Sequence, residues 1–213
     1  MIEKYIKHSI SSYEMANNNI SKLNEEILNL QGYTGNKTRH LYNNLCNIDD
    51  INYLEVGSWL GSSLISSLYE NNCKGIAIEN WSEGHIGSNQ ESFKIFQQNT
   101  NNFLKNKNFH LIEKDCFTID ENDVKESSVD IYLYDGNHES HFHELGINYF
   151  ERFLSKYSII IVDDWSWNKV QVGTYNGFQK SKLNIHHKIE HFSSDDKSGY
   201  WNGFAIFVCE KKI

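Results

Sequence analysis

Short apolar runs alternate along this chain with longer stretches whose apolar residues recur every three or four positions. The runs at 53–56, 75–78, 109–112, 131–134 and 159–162 have the length and content of strands. Helix-length stretches lie between them, around 62–70, 89–106 and 140–155. Strands separated by helices imply right-handed crossovers and a largely parallel sheet. Ile159, Ile160, Ile161 and Val162 are apolar in succession, as a strand covered on both faces requires. The last thirty or so residues change character. Segments 185–191 and 201–209 read as two strands joined by a turn at 193–199, an antiparallel pair that closes the sheet. Upstream of the first strand, Ile6, Ile10, Ile20, Leu23, Ile27 and Leu30 fall at helical spacing. They predict a helical N-terminal extension over 1–31, broken near Asn17-Asn18-Asn19. Gly32-Tyr33-Thr34-Gly35 punctuates it, and a further helix is expected over 37–46. The pattern predicts one α/β domain over 1–213, with about seven strands and helices on both faces.

Composition narrows the function classes. The chain has 213 residues, with 20 Lys+Arg against 28 Asp+Glu and a formal charge of −8. A nucleic-acid partner is not expected, because such binding needs a basic stripe to displace counterions. No run approaches the roughly 18 apolar residues of a membrane span, and the first residues lack the apolar core of a signal peptide. The expectation is a soluble, cytoplasmic protein. Cys46, Cys73, Cys116 and Cys209 are scattered, which points to four buried thiols rather than a zinc knuckle or disulfide scaffold. The chain has no proline and 26 asparagines, a bias we read as codon drift. Its cost is the loss of the best markers of helix ends.

In open α/β sheets, ligands bind beyond the carboxyl ends of the strands. The first strand ends in Glu55-Val56-Gly57-Ser58-Trp59-Leu60-Gly61-Ser62-Ser63. Gly57 and Gly61 allow a tight turn and close backbone approach to a ligand. The G-x-G-x-x-G of dinucleotide binders is missing, and the carboxylate of Glu55 suits a ligand carrying an ammonium or sulfonium charge. The second strand ends in Glu79, 24 residues after Glu55 and followed by Asn80 and Trp81; an acid at that distance commonly accepts ribose hydroxyls. After the third strand, Asp115-Cys116-Phe117 offers a polar group for an adenine amine, with Phe117 or Trp81 against the ring.

The fourth and fifth strands carry the strongest signal. The fourth ends in Asp135-Gly136-Asn137-His138 and the fifth in Asp163-Asp164. Neighbouring strands would bring the three acids to one rim, where they repel unless protonated or neutralised. A hard divalent cation such as Mg2+, Mn2+ or Ca2+ is the obvious neutraliser. The competing reading is that one or two of them cap the next helix. His138, three residues after Asp135, is a candidate base for a hydroxyl that the cation has acidified. His141 and His143 are expected on the surface of the following helix.

With these residues in place, the chain resembles the class I S-adenosylmethionine-dependent methyltransferases, whose sheet is Rossmann-like. Glu55–Gly61 looks like their glycine-rich motif, with Ser58, Trp59 and Ser62 beside the cofactor, and Glu79 like their ribose acid. The pair Asp135-Gly136-Asn137-His138 and Asp163-Asp164 is similar to that of the metal-dependent O-methyltransferases of sugars and natural products. The resemblance implies S-adenosylmethionine held by Glu55, Gly57, Ser58, Trp59, Gly61, Ser62, Glu79, Asn80, Trp81, Asp115, Cys116 and Asp135. It implies a metal, Mg2+ by preference, on Asp135, Asp163 and Asp164, with His138 as base.

The chain departs from that pattern where Ser155-Lys156-Tyr157-Ser158 replaces a glycine pair. Trp165–Gln179 and Gly199-Tyr200-Trp201-Asn202-Gly203 match nothing in it. The five tryptophans offer a face to a saccharide or small metabolite, or else belong to the core. Three other readings stand beside methyl transfer: an NAD-linked oxidoreductase, a hydroxylase-like relative and a non-catalytic cofactor-binding module. The N-terminal helices are a lid or a contact between copies of the chain in a homo-oligomer.

Overall fold

A computed structural model of the chain describes residues 1–82, 88–105, 107–124, 128–194 and 196–212. Seven strands form one sheet: β1 (Ile51–Val56), β2 (Cys73–Ile78), β3 (Phe109–Ile112), β4 (Val129–Tyr134), β5 (Leu154–Asp163), β6 (Leu183–His191) and β7 (Phe204–Lys211). Their order is β3-β2-β1-β4-β5-β7-β6. The first five are mutually parallel, and β7 runs antiparallel between β5 and β6. The helices are α1 (Ile2–Asn17), α2 (Glu25–Leu28), α3 (Asn36–Leu45), α4 (Ser62–Leu68), α5 (Asn89–Phe103), α6 (Ser140–Phe150) and α7 (Asn168–Lys180).

Strand periodicity divides the core into two layers. Tyr53, Ile131, Leu133, Ile159 and Ile161 point to one face, where Tyr5, Leu41, Leu64 and Phe96 of α1, α3, α4 and α5 cover them. Their neighbours Leu54, Tyr132, Ile160 and Val162 point to the other, against Ile147 and Phe150 of α6 and Val170 and Phe178 of α7. The continuous apolar run of β5 is thus buried on both sides, as read from its sequence. The extension α1 lies in the first layer: Tyr5 and Ala16 are buried, and the Tyr200 hydroxyl donates to Asn17 at 3.0 Å.

Register aligns the strand ends. Val56 pairs with Ile78 and Tyr134, and Tyr134 with Val162, so the loops after β1, β2, β4 and β5 open on one rim. The connections diverge between β1 and β4, the place where such sheets bind ligands.

Several boundaries differ from the pattern-based reading. The segment from Asn168 to Lys180, left unassigned within Trp165–Gln179, is helical. A Cβ on Gly173 would lie 2.1 Å from the Ser140 carbonyl oxygen, and one on Gly177 2.7 Å from Ile147 Cβ. These glycines let α7 lie close on α6. β5 starts at Leu154, because its polar first half pairs with β7 through Tyr157 and Glu210. α6 stops at Phe150, and a short 3-10 turn, Glu151–Phe153, precedes β5. α5 ends at Phe103, and residue 106, its expected end, lies outside the described residues. β7 begins at Phe204, so Trp201, Asn202 and Gly203 are loop. The turn expected at 193–199 includes residue 195, which also lies outside the described residues.

Candidate functional site

A cavity of about 510 Å3 opens at the aligned strand ends. From the β1 turn it takes Gly57, Ser58, Trp59 and Ser62, and from the β2 end Glu79 and Asn80. The β3 end supplies Asp115 and Cys116, the β4 end Asp135 and His138, and the β5 end Asp163 and Asp164. Three residues expected at the site lie outside this lining: Glu55, Gly61 and Trp81.

Glu55 is fully buried on the α4 side of the sheet, so it lies behind the cavity wall. Its carboxyl accepts from the Tyr53 hydroxyl at 2.5 Å and the Ser63 hydroxyl at 2.8 Å. Burial outweighs these bonds and pushes its pKa up to about 7. An acid whose folded pKa is raised favours the fold fully below its ordinary 4.5, and that contribution is lost as pH rises through about 7. The isosteric Glu55→Gln variant is therefore expected to flatten a pH-dependent loss of up to about 3 kcal/mol between pH 5 and 8. Urea unfolding across that range checks it, and equal slopes in both proteins contradict it.

Gly61 shapes the turn rather than the wall. It has φ +84 at the N-terminus of α4, and its N–H donates to the Ser58 carbonyl at 2.6 Å. Gly57, at φ +89, passes so close to β4 that a Cβ there would sit 1.9 Å from the Asp135 carbonyl oxygen. Alanine at Gly57 is expected to destabilise the fold by about 2 kcal/mol or more, measurable by denaturant unfolding. An unchanged midpoint would remove this close approach as the reason for glycine.

Trp81 turns inward instead of facing a ligand. It packs on Phe93 and Phe96, and its indole N–H donates to the Trp59 carbonyl at 2.8 Å. Glu79 ties the first two strand ends together. One carboxylate oxygen accepts from the Trp59 N–H at 2.8 Å, the other from the N–H groups of Asn80 and Trp81 at 2.8 and 2.7 Å. A carboxylate accepts about four donors, so Glu79 has capacity for about one more. At the β3 end, Asp115 accepts from the Phe117 N–H at 2.8 Å, and Phe117 stacks on Phe142 to form a flat shelf. Cys116 is half-buried rather than buried, and burial followed by the charge of Asp115 pushes its thiol up to about 12. It stays a neutral thiol at physiological pH.

The acidic rim assembles as its spacing suggested, but with a histidine inside it. His138 Nε2 lies 2.9 Å from Asp164 Oδ2 and 3.7 Å from Asp135 Oδ1. Burial opposes a charge on this imidazole, yet the two carboxylates outweigh it and raise its pKa to about 10. Burial and then Asp164 lift Asp135 to about 6, against the opposing effect of His138. Asp163 is buried beside them and accepts from the Asp164 N–H at 2.9 Å. Burial, then Asp135 and Asp164, push its carboxyl well above the usual range. Contrary to the surface position expected of it, His143 is buried behind His138, and burial lowers its pKa to about 3.

The lining also includes Tyr33, Thr34, Phe142 and Asn202, which sequence reasoning did not place there, and Trp167, one of the tryptophans offered as an acceptor face. Tyr33 stacks on Trp59 at 4.8 Å and 8°. Trp167 sets its edge against His138, with ring centroids 5.0 Å apart. The Asn202 amide donates to Asp164 Oδ1 at 2.6 Å. The available signal was the unassigned run Gly199–Gly203, whose Asn-Gly pair adopts φ +58 and +76.

No family model matches the chain, and no curated protein matches it in sequence. Solved structures do match. An O-methyltransferase from Bacillus cereus, in complex with S-adenosylhomocysteine, superposes with a TM-score of 0.61 at 16% identity, over 99% of this chain and 100% of that one. A Pyrococcus horikoshii protein described provisionally as an RNA methyltransferase gives 0.59 at 14% identity, over 96% and 98%. Precorrin-6y C5,15-methyltransferase from Geobacter metallireducens gives 0.55 at 15%, over 83% and 89%. At these identities the likeness is one of architecture: the chain has the α/β fold of the class I S-adenosylmethionine-dependent methyltransferases.

Proposed function

We propose that this chain is an S-adenosylmethionine-dependent methyltransferase that methylates a hydroxyl of a saccharide or other small molecule, with a divalent cation such as Mg2+ at its acidic rim. The observation that carries the reading is one continuous cavity joining Glu79 and Asp115 to Asp135, His138 and Asp164. Its volume is in the range of small-molecule sites. In this reading Ser58, Trp59 and Ser62 surround the methionyl part, on a turn shaped by Gly57 and Gly61. Glu55 braces that turn from below through Ser63. Glu79 takes a ribose hydroxyl beside Asn80, Asp115 and Cys116 border the adenine, and Asp135 faces both ligands.

The rim residues fit a cation. Carboxylate oxygens of Asp135 and Asp164 lie within 4.8 Å of each other and of a His138 ring nitrogen, which stays outside the proposed ligand set, and the carboxyls of Asp135 and Asp163 are raised by burial and crowding. Such an oxygen-rich set suits Mg2+ or Mn2+, with Asp163 completing it or supporting Asp164. A cation bound there would lower the pKa of an acceptor hydroxyl. A sulfonium-borne methyl is intrinsically electrophilic, so the residues' task is alignment and removal of one proton. His138 Nε2, in its neutral form, takes that proton. Tyr33, Trp59, Trp167 and Trp201 supply aromatic faces for the acceptor. The net charge of −8 speaks against a nucleic-acid acceptor.

Glu79→Ala is expected to weaken S-adenosylhomocysteine binding by about 1–3 kcal/mol, because three backbone N–H groups lose their acceptor. Calorimetry that finds equal affinity in a folded variant would remove Glu79 from the site. Turnover tests the whole reading. With S-adenosylmethionine, Mg2+ and mixed saccharide and small hydroxyl acceptors, S-adenosylhomocysteine should be released, and a chelator should stop it. A rate unaffected by chelation removes the cation.

A further inference from the structure

The run Gly199-Tyr200-Trp201-Asn202-Gly203 forms the loop that enters β7 beside the end of β5. Backbone bonds fasten the two loops together. The Ser166 N–H donates to the Asn202 carbonyl at 2.8 Å, and the Trp165 N–H to the Gly203 carbonyl at 3.3 Å. On its other side the loop is tied to the start of α3, where the Lys37 N–H donates to the Gly199 carbonyl at 3.1 Å. Asn202 is therefore held from both sides, at φ +58, a conformation asparagine tolerates better than most residues.

Its side chain reaches the rim. The Asn202 amide donates to Asp164 Oδ1 at 2.6 Å, while Asp164 Oδ2 lies 2.9 Å from His138. Asp164 is itself at φ +55, so its backbone leaves the β5 direction and its carboxylate depends on an outside contact for orientation. Without a donor on Oδ1 the carboxylate is held, among the described residues, only by the contact of Oδ2 with His138. With that donor, Oδ2 stays turned toward His138 and Asp135. An amide does this without adding charge: a lysine would cancel the carboxylate, and an acid would repel it.

We infer that Asn202 is a positioning residue that orients Asp164 for the divalent cation, so that the loop before β7 sets the geometry of the acceptor side. The inference rests on the cation reading of the rim. Metal ligands commonly need such an outer partner, and losing it costs about 10–100-fold in metal affinity.

The test uses the whole chain and Mn2+, whose binding is followed by its electron paramagnetic resonance signal, with S-adenosylhomocysteine binding measured in parallel by calorimetry. Asn202→Gly removes the amide and tolerates the positive φ. The expected result is Mn2+ affinity lowered about 10–100-fold, with S-adenosylhomocysteine affinity within about twofold of wild type. Line broadening in 17O-water should also show an added water on the bound Mn2+, a change that a general loosening of the fold would not produce. Equal Mn2+ affinity in wild type and variant overturns the role of Asn202 while leaving the cation in place. So does a parallel loss of Mn2+ and S-adenosylhomocysteine binding, which would mark Asn202 as a structural residue. A wild-type protein that binds no Mn2+ removes the cation from the proposed function, and the role of Asn202 with it.

Discussion

Alanine at His138 is expected to lower the rate of methyl transfer by about 10²–10⁴-fold, the usual cost of losing a general base. S-adenosylhomocysteine affinity should barely move, because the imidazole faces Asp164, Asp135 and Trp167 rather than the Glu79 end of the cavity. The pH profile carries the sharper information. Burial disfavours a charge on His138, but the carboxylates of Asp135 and Asp164 outweigh it and raise the pKa to about 10. Only neutral imidazole accepts a proton. The wild-type rate should therefore rise with pH through the titration of His138, and a cation on Asp135 and Asp164 would offset the carboxylate charge that holds that pKa up. The alanine variant should lose this limb. A variant within a few-fold of wild type, with the same profile, would make His138 a bystander.

Asparagine at Asp135 should act on the other side of the same chemistry. The carboxyl lines the cavity and lies in the cluster with Asp164 and His138. Asp135→Asn keeps its size while removing a charge, so the fold should hold; the acid already titrates near 6, and its amide analogue adds no desolvation cost. Mg2+-dependent turnover is expected to fall to the background seen with chelator, with cofactor binding largely intact. Asp163→Asn should follow it less severely, because Asp163 is buried and already accepts from the Asp164 N–H. Full Mg2+-dependent activity in the Asp135 variant would return these acids to a capping or cofactor role.

Where the chemistry declared itself in the sequence, it did so through strand ends. An acid closing an apolar run is conspicuous, and parallel strands with aligned register carry all such acids to one rim, as Val56, Ile78, Tyr134 and Val162 do. Depth was not legible. Glu55 is paired with Ala77 inside the sheet and turns toward Tyr53 and Ser63, whereas Glu79 follows the last residue of β2 and reaches the cavity. Trp59 and Trp81 were equivalent as aromatic residues near a turn. Contacts with Phe93 and Phe96 commit Trp81 to the core. α7 was left unassigned, and its glycines Gly173 and Gly177 have their reason in close packing on α6, a contact that only the fold shows. Asn202 escaped because its partner Asp164 lies 38 residues away, joined by a contact that only the folded sheet creates.

The central claim is that the cavity at the strand ends accepts the methyl donor. Titration calorimetry of the wild-type chain with S-adenosylhomocysteine, beside NAD+ as comparison, tests it most directly. The account predicts saturable one-to-one binding of S-adenosylhomocysteine, weakened in Glu79→Ala, and no binding of NAD+. Binding of NAD+ with none of S-adenosylhomocysteine would contradict it and assign the rim acids to a different chemistry.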